Sequence, residues 1–377
     1  MKAKVCKICV FFIACFSIFL INGIQAKAAD LTPDYGIYWY GKGNVSEKFV
    51  PGQSNRYFDP IKPTIIYVHG WQKDSQPNNR RESFNFKDEN GNVVNGADAW
   101  IDKGWNIGIF YWDMFSDEFS VTDAEAKIWS NNGPQKMRWR DHSGNYHDSD
   151  YKNAGELFYN TYVQAMKDYK GNNIRIAGHS LGNQMATYLT KRVYDAADAG
   201  QISKNLKPNR LSLLDPYWSN GAKSYLNNKW TGEACREYVK DLKSKGTAIE
   251  LYRSTYIDET PAGDNNQGEL DQTAFVHLNA WFKNSFDIAG KHNAAVSIYF
   301  TSYSSLAPAL YNRDGYKKYS KIAGNAPSAA SSDTEIKNFM NSNYRYDQYT
   351  GVYTLSSADN GFAQIDRNSM VYVVPIN

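Results

Sequence analysis

The sequence predicts an α/β protein built on a mostly parallel, doubly wound sheet with helices on both faces. Short, nearly continuous apolar runs, typical of strands buried on both faces, alternate along the chain with longer segments whose apolar residues recur at helical spacing. The composition agrees with this class. The 377-residue chain is 42% hydrophobic and 21% charged, as in globular proteins, and its length suits one large domain.

The predicted elements follow one another from about residue 60. Strands are expected at 64–68, 107–112, 174–177, 211–214, 247–252 and 274–282. Helices are expected at 98–103, at 153–169, after residue 180, at 232–244 and from residue 293. Three long polar connections, at 72–96, 114–153 and 261–272, each follow the carboxyl end of a predicted strand, the edge where open α/β sheets bind ligands. We expect segment 129–151, which mixes aromatic and basic residues, to form part of the substrate cleft.

The N-terminal segment has the pattern of a secretory signal peptide. Three lysines precede an apolar run over residues 8–21, and Ala26, Lys27 and Ala28 form a small-x-small cleavage signal. A helix of that length would span only about 21 Å, which is short of the roughly 30 Å hydrocarbon core of a bilayer. We therefore expect residues 1–28 to be removed and the mature protein to be secreted, without an integral membrane segment.

Removing this leader changes the charge and the cysteine count. The full chain has a net charge of +3, and the leader carries four lysines and no acid, so the mature chain has a net charge of −1. A nearly neutral chain lacks the basic surface that binds nucleic acid. Three of the four cysteines also leave, and the amphipathic segment around Cys235 favours a buried structural thiol. No Cys/His cluster has the spacing of zinc ligands, and no metal or other cofactor is predicted.

Residues 178–182 read Gly-His-Ser-Leu-Gly, a GxSxG motif centred on Ser180. The motif lies between a predicted strand and a predicted helix, which is the context of a nucleophile turn in the α/β-hydrolase fold. Serine is an effective nucleophile only beside a general base that an acid orients. In this fold the chain order is serine, acid, histidine. The pattern therefore predicts Ser180 as the nucleophile, with its two partners downstream.

Candidates for the base and the acid follow from this order. Of the two histidines after Ser180, His277 lies in an apolar strand pattern that is typical of a structural residue. His292 follows a Gly-Lys pair and opens a predicted helix, and we favour it as the base. Asp215 directly follows one predicted strand and Asp258 comes just after the next. We favour Asp215 as the acid and retain Asp258 as the alternative.

The oxyanion of a tetrahedral intermediate needs two preorganised N–H donors. One is expected from Leu181, directly after the nucleophile. The other is expected from the loop His69-Gly70-Trp71, which follows the strand at 64–68, with the backbone amide of Trp71 as the candidate. Gly70 lets this backbone bend. His69 lies upstream of the nucleophile and is expected to orient the loop.

Four segments resemble, in order, the lipase superfamily of pancreatic-, hepatic- and lipoprotein-lipase type. They read IIYVHGW, AGHSLGNQMA, LLDP and GKHNAAVSIYF. The resemblance implies an α/β-hydrolase fold with long loops over its active-site edge. It also implies that Ser180 is the nucleophile, that Asp215 in the LDP turn is the acid and that His292 is the base. The amides of Trp71 and Leu181 would form the oxyanion hole.

The resemblance spans roughly residues 60–300, and the chain departs from the family in three respects. The mature chain has one cysteine, whereas those lipases bracket their lid and histidine loop with disulfides. Their calcium-site acids have no clear counterpart after the LDP turn, so no bound calcium is predicted. Their separate C-terminal β-sandwich is not expected, because only 85 residues follow His292. We expect a catalytic domain over 29–310 and an extension over 311–377 that packs on it or forms a small subdomain.

The expected function is a secreted serine hydrolase of carboxylic esters, acting as a lipase, phospholipase or esterase, with lipids as the favoured substrate class. Transient contact with a lipid surface is part of this expectation. Two alternatives stay open. The same triad can cleave amide or peptide bonds through the same kind of tetrahedral intermediate. A lipase-like scaffold can also serve as a secreted binding protein without catalysis.

Overall fold

The computed structural model describes residues 32–315, 317–370, 373 and 375, and the expected signal peptide at 1–28 lies outside them. The described residues from Pro33 onward form one compact unit. The strands, in chain order, are β1 (Gly36–Gly41), β2 (Val45–Lys48), β3 (Thr64–Val68), β4 (Asn85–Lys87), β5 (Val93–Asn95), β6 (Asn106–Tyr111), β7 (Trp139–Arg140), β8 (Tyr146–His147), β9 (Ile174–His179), β10 (Arg210–Leu214), β11 (Ala248–Arg253), β12 (Ala274–His277), β13 (Ala309–Gly315), β14 (Lys318–Asn325), β15 (Tyr344–Thr350) and β16 (Gly361–Asp366).

The α-helices are α1 (Asp98–Asp102), α2 (Asp113–Ser116), α3 (Val121–Trp129), α4 (Ala154–Ala165), α5 (Gly182–Asp198), α6 (Thr231–Ser244), α7 (Gln267–Leu270), α8 (Ile288–Ser302) and α9 (Asp333–Met340). Cys235 is a free thiol buried in α6, as its amphipathic pattern predicts. No helix within the described residues combines the length and the apolar character that a membrane crossing requires.

One twelve-stranded sheet organises the described chain. Its spatial order is β14-β13-β16-β15-β12-β11-β10-β9-β3-β6-β1-β2, while β4 pairs with β5 and β7 with β8 in separate hairpins. The seven central strands, from β15 to β6, are parallel. From β3 the chain moves to β6 on one side and then to β9 on the other, so the strand order reverses at β3. In doubly wound sheets the carboxyl ends at such a reversal border the ligand crevice. The topology is that of the α/β-hydrolase fold, and the predicted fold class is confirmed.

Successive residues of β3 enter two different cores, one on each face of the sheet. Ile66 and Val68 pack in a core shared with helices α4, α5, α6 and α9. Ile65 and Tyr67 pack in a second core shared with helices α1 and α8. All five residues of β3 are buried. Burial on both faces is why the run is continuously apolar, and the predicted bounds 64–68 match the strand.

Three predicted boundaries are wrong. The helix expected at 153–169 ends at Ala165, because residues 166–168 form a turn. The strand expected at 274–282 ends at His277, because the chain then leaves the sheet and Asn279 is held by the side chain and carbonyl of Gln348, at 2.8 and 2.9 Å. The apolar pattern continues there because Leu278 and Ala280 remain in the core. The helix expected from residue 293 begins earlier, at Ile288, so His292 lies inside the helix and does not open it.

The C-terminal part of the chain extends the main sheet. Strand β15 pairs in parallel with β12, and β16, β13 and β14 follow outward. Buried arginines on β9 and β10 bind the segment before α9. Arg175 donates to the carbonyl of Ala329 and Arg210 to that of Ser331, each at 2.7 Å, and Arg210 Nε also donates to Asp333 at 2.8 Å. These bonds tie the segment to the amino ends of two central strands.

Candidate active site

Ser180 lies on a sharp turn between β9 and α5. Its φ is +55°, in the left-handed region that residues other than glycine seldom adopt. A Cβ atom at Gly178 would lie 2.4 Å from the carbonyl oxygen of Gly182, and one at Gly182 would lie 2.3 Å from that of Val68. Both motif glycines are therefore required by close backbone contacts. The strained turn is the geometry of a nucleophile elbow.

Asp215 and His292 are brought together at the same edge of the sheet. Asp215 follows β10, is 1% exposed and accepts a hydrogen bond of 2.5 Å from Nδ1 of His292 on α8. The carboxylate also accepts bonds from the backbone N–H groups of Ser254 and Thr255, at 2.6 and 3.0 Å, and from the Thr255 hydroxyl at 2.5 Å. Ser254 and Thr255 were missed in the sequence. The one indication of their role in the sequence is their position directly after β11. Strand β11 is the neighbour of β10, which ends just before Asp215.

The environment of Asp215 keeps its carboxylate ionised. Burial alone would raise the pKa of Asp215, but the hydrogen bond and charge of His292, together with the bonds from Thr255 and Ser254, outweigh it and lower the pKa below its usual value. An ionised carboxylate fixes the proton of His292 on Nδ1 and leaves Nε2 as the basic nitrogen. Ser180 and His292 line the same cleft.

Asp258, the alternative acid, has a different partner. Its carboxylate forms an ion pair with Arg253 at 2.6 Å and is 1% exposed. Burial raises the pKa of Asp258 to about 7, since the opposing charge of Arg253 is partly offset by that of Asp215. The structure thus places Asp215 against His292 and Asp258 against an arginine.

Two further histidines differ in their relation to His292. The Nε2–H of His179 donates to the carbonyl oxygen of His292 at 3.1 Å, and the centroids of the two rings are 4.4 Å apart. Burial lowers the pKa of His179 well below its usual value, so this ring is neutral and supports His292 by a hydrogen bond. His277 instead lies 3.1 Å from the hydroxyl of Tyr256. The position of His179 in the GxSxG motif does not by itself predict a role for this residue.

The loop after β3 packs directly against the nucleophile turn. A Cβ atom at Gly70 would lie 2.7 Å from Cβ of Ser180, 2.9 Å from the carbonyl oxygen of His179 and 3.1 Å from the nitrogen of Leu181. Within the described part of the chain, the backbone N–H groups of Trp71 and Leu181 have no hydrogen-bond acceptor. Two unpaired amides flanking this contact are the donors that an oxyanion hole requires.

His69 holds this loop in place. Its Nδ1–H donates to the carbonyl oxygen of Gly70 at 2.9 Å, and its Nε2 accepts from the backbone N–H of Trp112 at 3.2 Å. The indole of Trp112 donates to the carbonyl of His69 at 2.8 Å, and that of Trp71 donates to the carbonyl of Glu118 at 2.7 Å. Burial lowers the pKa of His69, which agrees with a neutral ring that donates at one nitrogen and accepts at the other.

A cleft of about 860 Å³ opens over these residues. It is lined by Trp71, Gln72, Lys73, Arg80, Arg81, Glu82, Ser83, Asn85, Phe86, Val121, His179, Ser180, Tyr217, Ile257, Thr260, Ile288, Ala289, His292, Asn293 and Val296. The connection at 72–96 therefore supplies one wall, and α8 with residues near 257–260 supplies another. Within the described residues, no group of three or more His, Cys, Asp or Glu side chains is arranged to hold a metal ion.

Segment 129–151 does not line the cleft, so that expectation is wrong. Arg138 forms an ion pair with Glu118 at 2.5 Å, and Arg140 forms one with Asp117 at 3.1 Å. These ion pairs explain the two arginines, and Trp139 stacks on His147 with ring centroids 4.4 Å apart. The segment lies outside the cleft and supports the loop that follows α2.

The sequence matches no family model and no curated protein. Among solved structures, the chain is similar to a thioesterase domain from the Curacin biosynthetic pathway, with 13% identity, a TM-score of 0.21 and coverage of 50% of this chain and 47% of that one. LpqC, a poly(3-hydroxybutyrate) depolymerase from Bordetella parapertussis, has 13% identity and a TM-score of 0.26, with coverage of 57% and 62%. A structure from work on two prolyl endopeptidases has 14% identity and a TM-score of 0.25, with coverage of 58% and 29%. The chain thus spans less than two thirds of the length of each of these three structures.

Proposed function

We propose that the protein is a secreted serine hydrolase that cleaves carboxylic esters through an acyl-enzyme on Ser180. The observation that carries the proposal is the hydrogen bond of 2.5 Å between Asp215 and His292 at the cleft that Ser180 lines. The three residues occur in the chain order of α/β hydrolases. The unpaired amides of Trp71 and Leu181 add the donors for the oxyanion.

In the first half of the reaction, Oγ of Ser180 attacks the ester carbonyl carbon while Nε2 of His292 accepts the hydroxyl proton. The carbonyl electron pair moves to oxygen, where the amides of Trp71 and Leu181 stabilise the negative charge. Collapse of this intermediate expels the alcohol, which takes the proton from His292. Water then attacks the acyl-enzyme by the same steps, and Asp215 stays ionised throughout.

Apolar side chains around the cleft support a lipid ester as the substrate. Ile288 lines the cleft and is 57% exposed, and Phe286, two residues earlier, is 93% exposed. Phe119 is 77% exposed and lies under the ammonium group of Lys73, another lining residue. Exposed apolar groups clustered around a cleft are typical of surfaces that meet a ligand or a membrane. We therefore propose transient contact with a lipid surface, in keeping with the resemblance to lipases.

The test is an activity screen on triglyceride emulsion, phospholipid vesicles, a short soluble ester and a peptide. Ser180→Ala and His292→Ala are each expected to lower kcat by about 10⁴-fold or more, and the double variant by no more than either single one, because the residues act as a unit. His277→Ala is the matched control and should retain most of the activity. Wild-type activity in His292→Ala would refute the assignment, and cleavage of the peptide alone would favour the amidase alternative.

Secretion is proposed from the N-terminal pattern of lysines, apolar run and small-x-small site. Expression of the full chain in a secreting host, with N-terminal sequencing of the exported protein, tests it. The expected mature N-terminus is Ala29. Retention of the whole chain inside the cell would contradict the proposal.

A further inference from the structure

We infer that the substrate carries a negatively charged group, a carboxylate or a phosphate, which one wall of the cleft recognises. This inference rests on the proposed function, and it names the chemistry of the ester. The wall in question comes from the loop after the oxyanion residues and contributes Lys73, Arg80 and Arg81 to the cleft. Glu82 is the one acidic side chain among the described residues that line it.

The charge of Arg81 is already compensated. Its guanidinium forms ion pairs with Asp113 at 3.0 Å and with Asp34 at 3.1 Å. Glu82 accepts hydrogen bonds from the hydroxyl of Tyr67 at 2.7 Å and from the side-chain amide of Gln72 at 2.6 Å. Arg81 and Glu82 therefore serve the framework of the wall.

Lys73 and Arg80 are compensated only through space, by the nearby charge of Asp74. Within the described residues, neither forms an ion pair with a carboxylate, and Asp74, which lies between them in the chain, is paired with Arg140 at 2.8 Å. The ammonium of Lys73 lies 4.3 Å from the centroid of the Phe119 ring. Arg80 donates one bond of 2.9 Å to the carbonyl of Lys73 and keeps its remaining donors. The ammonium of Lys73 and the guanidinium of Arg80 thus line the cleft and have donors left to bind an anion.

The remaining walls are neutral. Ile257, Ile288 and Val296 line the cleft from the far side, with no charged side chain among the described lining residues there. The cleft therefore offers apolar surface to one part of a substrate and positive charge to another. This combination fits an amphipathic anionic ester, such as a fatty acyl ester that carries a phosphate or a carboxylate.

Two matched substrate pairs test the inference. The first compares the 4-nitrophenyl monoester of glutaric acid with 4-nitrophenyl pentanoate, and the second compares phosphatidylglycerol with phosphatidylcholine of the same acyl chains in mixed micelles. The measured quantity is the ratio of kcat/KM for the anionic and the neutral member. In the wild type we expect ratios above one that fall as salt rises. In the double variant Lys73→Gln/Arg80→Gln, we expect the ratio to fall about tenfold, as two partly exposed charge contacts would give.

The matched control removes the same charge elsewhere. Lys167 and Lys170 are exposed beyond the end of α4, near the amino end of β9, at the edge of the sheet opposite to the cleft. Lys167→Gln/Lys170→Gln is expected to leave the ratio unchanged. An equal fall in this control would mean that net charge and not the cleft wall sets the preference, which would overturn the inference.

A binding measurement separates this inference from the proposed function. Dodecyl phosphate is titrated into Ser180→Ala and into the same variant carrying Lys73→Gln/Arg80→Gln, and about tenfold weaker binding is expected in the latter. If wild type hydrolyses no ester but binding still depends on the two cations, anion recognition stands and the proposed function falls. A preference for the glutarate ester alone supports a carboxylate. A preference for phosphatidylglycerol alone supports a phosphate whose charge no choline ammonium offsets, and a preference for both supports the shared anionic chemistry. The inference is overturned if neutral and anionic esters are cleaved equally well and if dodecyl phosphate binds with the same affinity with and without the two cations.

Discussion

At Asp215 the backbone and the side chain are fixed by neighbours on both sides. The residue has a φ of +39°, in the left-handed region that aspartate tolerates better than most residues, and its N–H donates to the carbonyl of Tyr252 at 2.6 Å. The carboxylate then accepts from Ser254, Thr255 and His292. The position of the acid is thus set by contacts between adjacent strand ends, before any substrate binds.

Substitution of the two candidate acids separates their roles. Asp215→Asn is expected to lower kcat by about 10⁴-fold, because an amide no longer fixes the proton of His292 on Nδ1. Asp258→Asn is expected to change kcat by less than about tenfold, because its partner is Arg253. Steady-state kinetics on one soluble ester measures both. The assignment fails if Asp258→Asn is the variant that loses activity.

Asp258 should also make the stability depend on pH. Its pKa is raised from 3.8 to about 7, mainly by burial, so between these values the unfolded chain releases a proton that the folded protein keeps. Its contribution to stability is therefore complete below about pH 4 and declines as the pH rises to about 7. Relative to wild type, Asp258→Asn should gain more unfolding free energy at pH 8 than at pH 4, measured by urea denaturation. A difference that does not change with pH would contradict this assignment, and Asp168→Asn, at an exposed position, is the control.

The sequence predicted the three triad candidates but not the groups that hold them. The GxSxG and LDP patterns are local, so Ser180 and Asp215 were predictable from a few neighbouring residues. Thr255 and His179 act through contacts between different elements. These contacts exist because β10 and β11 are neighbours in the sheet and because α8 meets the end of β9 at His179. Neither arrangement can be deduced from a local sequence pattern. The catalytic roles themselves stay predictions until activity is measured.

At the scale of elements, β3, β9 and α5 pack closely against one another at glycines. Gly182, the first residue of α5, touches the backbone carbonyls of Val68 and His69, and Gly70 touches Ser180. The partners are mostly backbone atoms, which cannot rotate away. The distance between the nucleophile and the unpaired amide of Trp71 therefore depends on these glycines.

Gly182→Ala tests this packing. A Cβ atom there would lie 2.3 Å from the carbonyl oxygen of Val68, so we expect a loss of about 3 kcal/mol in unfolding free energy and a large loss of esterase activity. Gly315→Ala is the matched control, because among the described residues its Cβ would meet no atom within 4 Å and its backbone needs no positive φ. Urea denaturation and kinetics measure both variants. Equal effects of the two substitutions would contradict the packing account.

Burial explains which elements could be predicted from the sequence. Strands β3 and β9 to β11 are buried on both faces and gave clear apolar runs, so their positions were predicted within two residues. Strands β2, β4 and β5 are short and partly exposed, and their sequences have no comparable pattern. Helix α8 begins before its apolar stretch because Asp287 caps it, accepting a bond of 2.7 Å from the N–H of Gly290.

At the scale of the whole molecule, the C-terminal strands and α9 share the core of the central strands. The sequence has strand-like patterns at 351–355 and 369–376, but the four strands of this region lie elsewhere. Residues 351–355 form a turn after β15, and part of 369–376 lies outside the described residues. The pairing of β15 with β12 was not predicted either, because a long stretch of chain separates them. Ile336 of α9 is fully buried in the core that also contains Met185 and Leu189 of α5. We therefore expect the site and the C-terminal part to unfold together.

Ile336→Ala tests this coupling. The cavity should lower the unfolding free energy by about 2–5 kcal/mol, and loss of activity should follow the same urea transition as loss of secondary structure. Asn338→Ala, at an exposed position of the same helix, is the control and should have little effect. An active site that survives a separate, earlier transition would instead indicate an independent C-terminal subdomain.

The most direct test of the triad at Ser180 is covalent labelling of the mature protein with an alkyl fluorophosphonate, followed by mass spectrometry of its peptides. A serine activated by His292 and Asp215 displaces fluoride from phosphorus, so we expect one stoichiometric adduct on Ser180. His292→Ala should label at least about a thousandfold more slowly. A folded wild-type protein that takes up no label, or takes it up on another residue, would contradict the proposed hydrolase.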